Sequence, residues 1–482
     1  MELCNEIAMD TYTNIYMLGI KGNGMASLAS LLKKMGKNVW GADVQTREPA
    51  DELLDKVDIK VLPFGVANIH SDIDLLITTG SHGGLKNPEV IAAQEMGIPV
   101  LTHAEALGKL MESFKTRIAV CGTHGKTTTS ALLAYLLIKM GASCGYQVGA
   151  PSFSGLPGGD YIGNEYFVVE SDEYATSPGT DNTPRFMFQN PTHIICTNIE
   201  HEHVDIYNTI DDTKSAFQAF FRKLPQGGAI VYCANDFILS EVVAESVTPS
   251  LTYGYGTTEG TYAYISGIHV DNGKSVFRLS IDGSDTGEWI TPLSGEHNIK
   301  NITSVLVLLH KLGFNLDEVK KHLGNFSGSK RRFEHIYDDE SYSLIDDYAH
   351  HPSEVRETLK GARMTYPGRR ILVVFQPHTF SRTKVFKEEF AEVLSLADEA
   401  YILDVYSSAR ETAQEDSVQS QDIVAYAHSK GYKQIQYVRE EQVIEALDKE
   451  LKPGDVIVTM GATNLYRFHN DIMKAISKHT HD

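Results

Sequence analysis

No stretch of this 482-residue chain approaches the roughly 18 consecutive apolar residues of a membrane-spanning helix, so no membrane partner is expected. Cationic excess is missing as well. The chain has 43 Lys and Arg against 63 Asp and Glu, a formal net charge of −20, which argues against non-specific nucleic-acid binding. An anionic substrate must therefore be held by local donors, because the field of the whole chain repels it. Cysteine is scarce. The five residues Cys4, Cys121, Cys144, Cys196 and Cys233 are odd in number and form no C-x-x-C pair, which fits a reducing compartment better than a disulfide framework. The opening MELCNEIAMD has acids and no basic segment, so it does not read as a secretory signal, and a cytoplasmic location is expected. Internal repeats, low-complexity tracts and long runs of one charge are absent. What is there is 42% hydrophobic and 22% charged, an ordinary globular composition. At about 150 residues per domain, the length suggests about three domains.

Residues 117–141 organise the reading. Arg117–Cys121 reads as a short buried strand, Gly122-Thr123-His124-Gly125-Lys126-Thr127-Thr128 as a tight glycine-bearing loop, and Thr128 onward as a helix with Leu132, Leu133, Leu136, Leu137 and Met140 on one broad face. Strand, Gly-Lys-Thr loop and helix together form a nucleoside-triphosphate site: backbone N–H groups face the phosphates, Lys126 reaches the β/γ-phosphates, and the Thr127 hydroxyl ligates Mg²⁺. The pattern is a variant, because Val120 stands where the full motif has its first glycine. The alternative is a glycine-rich turn with an exposed lysine.

Before this motif, Ile15–Ile20, Ala26–Met35 and Asn38–Ala42 read as strand, helix and strand, ending at Asp43. The glycines fall at Gly19, Gly22 and Gly24. That spacing is G-x-x-G-x-G and not the dinucleotide G-x-G-x-x-G, so NAD is the weaker ligand here and a phosphate at the helix start the stronger. After the motif, Pro151–Asp160 reads as a loop. Tyr166–Val169 reads as a strand delivering Glu170-Ser171-Asp172-Glu173, candidate Mg²⁺ ligands beside a P-loop. Residues 175–191 read as irregular, with Arg185 their one basic residue. His193–Asn198 is a further strand, running into Glu200-His201-Glu202-His203. In isolation that cluster suggests zinc; beside a P-loop, a shared phosphate–Mg²⁺ site is more economical. Asn298 and Asn301 lie three apart on a helix and can both meet an adenine edge, although asparagine there also serves as a helix cap. The last third alternates strand and helix as a second open α/β unit. Its strand ends carry Tyr348, His350, His378 and Arg382, where ligands of such sheets bind.

In this order and at matching intervals, GTHGKTTT, ESDE, TNIEHEHVD, GEHNIKN, KRRFE, DDYAHHPSE, FQPHTFSRT and GDVIVTMGA resemble the Mur ligases over essentially the whole chain. The resemblance implies an α/β protein of three domains. These are an N-terminal Rossmann-like UDP-sugar domain (1–114), a central P-loop ATPase-type domain (115–328) and a C-terminal Rossmann-like amino-acid domain (329–482). It implies an ATP-dependent amide ligase of peptidoglycan precursor synthesis that uses Mg²⁺ or Mn²⁺. LGIKGNGM, the His-His-Pro motif and FQPH…SRT are most similar to members that join L-alanine to the lactyl carboxylate of UDP-N-acetylmuramate through an acyl phosphate. A monomer or homodimer is expected.

Carried over residue by residue, the resemblance gives ATP to Gly122 through Thr128, with Asn298 and Asn301 at adenine and Arg331 or Arg332 near the phosphates. Thr127, Glu170 and His203 become metal ligands. Gly22, Asn23, Gly24, Met25 and Asp43 hold the UDP part. Tyr348, His350, His378 and Arg382 line the amino-acid site. Lys126, Glu170, His203 and His350 are the candidate catalytic groups, His350 as the base that deprotonates the amine. Two positions depart from the family: Glu202 stands for an Asp, and Thr379 for an Arg, which bears on amino-acid specificity. The alternatives are a murein-recycling ligase that attaches a tripeptide, an NAD-dependent dehydrogenase and a non-catalytic UDP-sugar sensor.

Overall fold

The strand Asn14–Leu18 is apolar on both faces and buried from Ile15 to Leu18, as a central parallel strand must be. In the computed structural model, which describes residues 9–248, 251–407 and 417–480, it lies at the middle of a parallel sheet. The sheet order is Val61–Leu62, Asn38–Ala42, Asn14–Leu18, Leu75–Thr78, Val100–Thr102. The strand order reverses at Asn14–Leu18, and the turns after it and after Leu75–Thr78 open at this switch point, the ligand position of doubly wound sheets. The helix Asn23–Lys34 follows, and a Thr102–Glu105 capping box starts the helix His103–Met111.

A second sheet of ten strands is built around Thr116–Cys121, flanked by Tyr166–Glu170 and His193–Cys196 in parallel. The P-loop helix Lys126–Lys139 is buried from Thr127 to Leu137, consistent with an apolar pattern wider than one face. It begins two residues earlier than the sequence suggests, because Gly125 turns the chain in the left-handed region at φ 82°.

Two segments read as irregular are regular. Pro151–Asp160 belongs to an antiparallel hairpin, Cys144–Phe153 with Leu156–Tyr161. Its glycines suggest a loop, but small residues suit a surface covered by a helix: Ser30 Oγ of Asn23–Lys34 donates to the Gly159 carbonyl at 2.7 Å. Within 175–191, Ala175–Ser177 and Asp181–Pro184 pair as a short hairpin, followed by a 3₁₀ turn at Arg185–Phe188. Turn residues at Pro178 and Gly179 are what the sequence offers there, and side-chain bonds such as Thr176 Oγ1 to the Thr183 carbonyl complete the pairing.

The third sheet runs Glu334–Asp338, Ser343–Asp347, Val456–Met460, Ile371–Phe375, Glu399–Ile402, Ile435–Tyr437, parallel except for its first strand. Apolar clusters cover both faces, one around Val355, Phe390 and Ile423, the other around Tyr342, Leu447 and Ile472. The chain separates into two compact units. One comprises the chain to Ile268 with Val276–Thr291 and Lys300–Ser329; the other comprises His269–Ser275, Pro292–Ile299 and Lys330 onward. Among the described residues no helix is long and apolar enough to cross a membrane. Cys121, Cys144, Cys196 and Cys233 are buried free thiols; Cys4 lies outside the described residues.

Candidate active site

Parallel pairing of Thr116–Cys121 with Tyr166–Glu170 and with His193–Cys196 brings three strand ends together around the P-loop. The segment after His193–Cys196 holds the loop in shape. Asn198 Oδ1 accepts from the His124 N–H at 2.9 Å, its Nδ2 donates to the His124 carbonyl at 3.1 Å, and its own carbonyl accepts from the Thr123 N–H at 3.0 Å. Asn301 lies against Gly125: a Cβ there would fall 2.8 Å from Asn301 Oδ1, so glycine is required by space as well as by φ. Asn298, on the same helix, donates from Nδ2 to the Ser294 carbonyl at 2.7 Å.

Lys126 Nζ donates to the carbonyls of Gly122 and Thr123 at 2.7 and 3.1 Å and pairs with Glu173 Oε2 at 2.8 Å. Burial works against its charge, but Glu173 and Asp172 outweigh burial, and its pKa is raised above the usual lysine value. Glu170 accepts from Thr127 Oγ1 at 3.0 Å and, through its other oxygen, from the Gly149 N–H at 2.8 Å. His203 Nε2 lies 3.3 Å from Glu173 Oε1. Its ring sits 4.6 Å from that of Tyr174, and its backbone is in the left-handed region at φ 53°, a conformation kept in place by N–H bonds from Ile206 and Tyr207 to its carbonyl. Desolvation lowers the His203 pKa, but Glu202, Glu173 and Asp172 raise it on balance. One ligand atom from each of Asp172, Glu173 and His203 lies within 4.8 Å of the others. His201 points elsewhere in chemistry, its Nε2 donating to the Tyr207 carbonyl at 3.0 Å.

At the first sheet, the helix that starts at Asn23 has Gly22 as its cap residue, without a side-chain capping bond. Asp43 is 3% exposed, and its oxygens accept from the backbone N–H of Lys21 and Val44, both at 2.7 Å, so it fixes the turn after the first strand.

In the second unit, the four predicted amino-acid-site residues gather at the carboxyl ends of Ser343–Asp347 and Ile371–Phe375. His350 lies 5.5 Å from Tyr348 and 6.2 Å from His378, ring to ring, and Arg382 Nη1 donates to His378 Nδ1 at 3.2 Å. His350 Nδ1 donates to the Tyr348 carbonyl at 2.9 Å, which puts the basic lone pair on Nε2. Arg331 is committed to the framework: Nε bonds Asp346 at 3.0 Å and Nη2 the Gly461 carbonyl at 2.8 Å. Arg332 lies over the Tyr348 ring at 5.2 Å and 3.9 Å from Glu354. Thr379 takes a left-handed φ of 66° at the start of Phe380–Leu394, with its N–H on the Tyr406 carbonyl.

Three family models match in succession: the Mur ligase family catalytic domain over residues 14–115, the Mur ligase middle domain over 120–309, and the Mur ligase glutamate ligase domain over 331–463. UDP-N-acetylmuramate–L-alanine ligase of Desulfitobacterium hafniense (strain Y51) is 36% identical over 465 residues, covering 94% of this chain and 98% of the relative. That of Lactiplantibacillus plantarum is 39% identical over 418 residues, covering 86% and 90%. The chain belongs to the Mur ligase family. The crystal structure of UDP-N-acetylmuramate–alanine ligase from Thermotoga maritima matches this Mur ligase with a TM-score of 0.77 at 25% identity, over 97% of this chain and all of that one. A murein peptide ligase from Psychrobacter arcticus shares the fold at a TM-score of 0.70 and 23% identity, over 96% and 98%. The Mur ligase fold here is the three-domain α/β architecture that the resemblance implies.

Some residues of this Mur ligase site are missed by motif reading. Glu173 holds the P-loop lysine, and the acidic ESDE string contained that signal without saying which acid does so. Asn198 is the clamp of the loop and looks in sequence like one more polar residue of a metal-binding string.

Proposed function

We propose that this protein is an ATP-dependent ligase that joins the amino group of L-alanine to the lactyl carboxylate of UDP-N-acetylmuramate. A carboxylate is a poor acyl donor because its leaving group would be oxide. Transfer of the γ-phosphoryl group of ATP to a carboxylate oxygen gives an acyl phosphate and ADP. The amine then attacks the carbonyl, inorganic phosphate leaves, and the amide remains. The observation that carries the reading is the meeting of Lys126 and Thr127 with the carboxylates of Glu170 and Glu173 at one strand end. It occurs in a chain aligned nearly end to end with relatives of that name.

Phosphoryl transfer asks the protein for position and charge neutralisation. Lys126 exchanges Glu173 for the β/γ-phosphates, and the N–H groups of Gly122 to Thr128 cradle them. Asn298 and Asn301 take the adenine, and Arg331 or Arg332 meets the phosphates. The donor set fits hard divalent cations: Thr127 and Glu170 offer oxygens to one, and His203, whose ligand atom lies within 4.8 Å of those of Asp172 and Glu173, offers a nitrogen to a second. Bound there, Mg²⁺ or Mn²⁺ would neutralise charge on the transferring phosphoryl group. Gly22 to Met25 hold the UDP part at the first sheet's switch point, in a turn that Asp43 shapes. Arg382 takes the α-carboxylate of L-alanine, with Tyr348 and His378 beside it, and His350 Nε2 receives the proton that the amine loses. We assign the domain limits near 114 and 328 and the reaction to the cytoplasm.

Phosphate release is measured with ATP, UDP-N-acetylmuramate and single amino acids. Turnover with L-alanine, with glycine and L-serine poorer, is the expected result. A higher kcat/KM for L-Ala-γ-D-Glu-diaminopimelate overturns the choice of L-alanine.

A further inference from the structure

The helix Pro352–Thr365 meets functional residues at both of its ends. At its start His351 is the cap residue, and the Glu354 carboxylate accepts from the His350 N–H at 3.0 Å, so the helix fixes the backbone that presents His350 at the amino-acid site. Near its end it meets the segment Pro292–Ile299, which carries Asn298 and belongs to the same compact unit. At 1.5 Å of rise per residue, the helix is about 20 Å long.

Two contacts join helix and segment. The hydroxyl oxygens of Thr365 and Ser294 lie 2.8 Å apart. Thr365 Oγ1 also donates to the Gly361 carbonyl at 2.8 Å, one turn back. A hydroxyl has a single proton, so with that proton on Gly361 the Thr365 oxygen accepts from Ser294. About two turns earlier, Glu357 Oε2 lies 3.7 Å from His297 Nδ1, and Lys360 Nζ donates to Oε1 at 2.9 Å. Burial would raise the Glu357 pKa, but His297 and Lys360 bring it down to about 2, so the group stays a carboxylate. The segment is shaped for this brace. Gly295 has a φ of 92°, and a Cβ there would fall 2.7 Å from the His297 ring, so only glycine lets the ring lie against the turn. Ser294 is 6% exposed, and its carbonyl accepts from Asn298 Nδ2 at 2.7 Å. Thr365, Ser294 and Asn298 thus form one chain of contacts. With Nδ2 committed, Oδ1 is the end of the Asn298 amide that accepts, and adenine offers its 6-amino group.

We propose that Thr365 and Glu357 are positioning residues for the nucleotide base: acting through Ser294 and His297, they hold the Asn298 amide in line with adenine, from a helix whose other end serves the amino-acid site. Neither residue stands in a motif shared with the family. The inference rests on the assignment of Asn298 to adenine made above.

The test compares kcat/KM, read as phosphate release, for ATP and for inosine triphosphate, which carries an oxo group where adenine has its amine. The intact enzyme prefers ATP by about tenfold or more, because the oxo group meets the Asn298 oxygen instead of donating to it. In Thr365→Val the preference falls about fivefold, the scale of one hydrogen bond, and Thr365→Ser, which restores the hydroxyl, keeps it. Glu357→Gln at its partly exposed position lowers the preference about twofold and gives the readout where valine is not tolerated. A merely structural defect of the helix slows both nucleotides alike, raises the KM for L-alanine and leaves the ratio unchanged; that result overturns the proposal. Asn298→Ala separates the proposal from its premise. Collapse of the preference in Asn298→Ala without any fall in Thr365→Val and Glu357→Gln overturns this inference alone. An unchanged preference in Asn298→Ala, or equal use of both nucleotides by the intact enzyme, overturns the adenine assignment and this inference with it.

Discussion

Burial alone would push the Lys126 ammonium toward its neutral form, and the carboxylates of Glu173 and Asp172 reverse that. The pair with Glu173 is nearly dry, the two side chains being 13% and 2% exposed. Removing one partner of such a pair costs about 3–5 kcal/mol, because the other charge stays buried. Lys126→Ala should therefore lower both stability and turnover, the latter by about 10²-fold or more, the scale of losing one fixed donor to developing charge. The double variant with Glu173→Gln separates the two effects: denaturant unfolding should recover most of the stability, and phosphate release should not recover. Return of activity in the double variant would contradict the assignment of Lys126 to the phosphates. His103 gives a pH signature. Its pKa falls from the usual 6.5 to about 4 in the fold, chiefly by desolvation and then by Arg185, with a hydrogen bond to the Gly24 backbone and the Asp172 charge opposing. The unfolded chain thus takes up the proton first, so stability is full above about pH 6.5 and declines as pH falls toward 4. In His103→Gln the loss of unfolding midpoint between pH 7 and pH 5 should be smaller than in the native chain. A parallel decline in both would show that His103 stays solvated.

The short hairpin within residues 175–184 links elements that the sequence reading kept apart. Its base follows Glu173, which holds Lys126, and its flank covers the loop after Leu75–Thr78: a Cβ on Gly80 would lie 2.4 Å from the Thr176 carbonyl oxygen. Gly80→Ala should force the hairpin off that loop, cost about 1–3 kcal/mol by overpacking and raise the KM for the nucleotide sugar more than that for ATP. Equal change in both KM values would argue that the hairpin serves the fold alone. Elements of this kind mark the limit of what the sequence made legible. Strands such as Val456–Met460 and Asn38–Ala42 announce themselves by apolar runs between turn residues, and the P-loop by its spacing. The hairpins at Cys144–Tyr161 and Ala175–Pro184 carry glycine, proline and serine because another element lies on them, and local pattern reads that composition as loop. The same holds for site residues. Glu170, His203 and His350 stand in motifs, whereas Asn198 acquires meaning only when the P-loop is brought against it.

Two compact units in one chain predict that unfolding is not a single two-state event. The P-loop and the turn Gly22–Met25 fall in the first unit, while Tyr348, His350, His378 and Arg382 fall in the second. The second unit has a six-stranded sheet with an apolar cluster on each face, enough to unfold cooperatively by itself. A ligand that binds only the folded form of one unit stabilises that unit by RT ln(1 + [L]/Kd), about 2.7 kcal/mol at a hundredfold excess over Kd. Calorimetry of the full chain should then resolve two transitions. UDP-N-acetylmuramate should raise one and leave the other in place, and the unmoved transition should match that of the separately expressed chain from 330 to 482. A rise of both transitions by the same amount, or a fragment that fails to unfold cooperatively, would mean that the two units are energetically one body and that the nucleotide sugar stabilises the molecule as a whole.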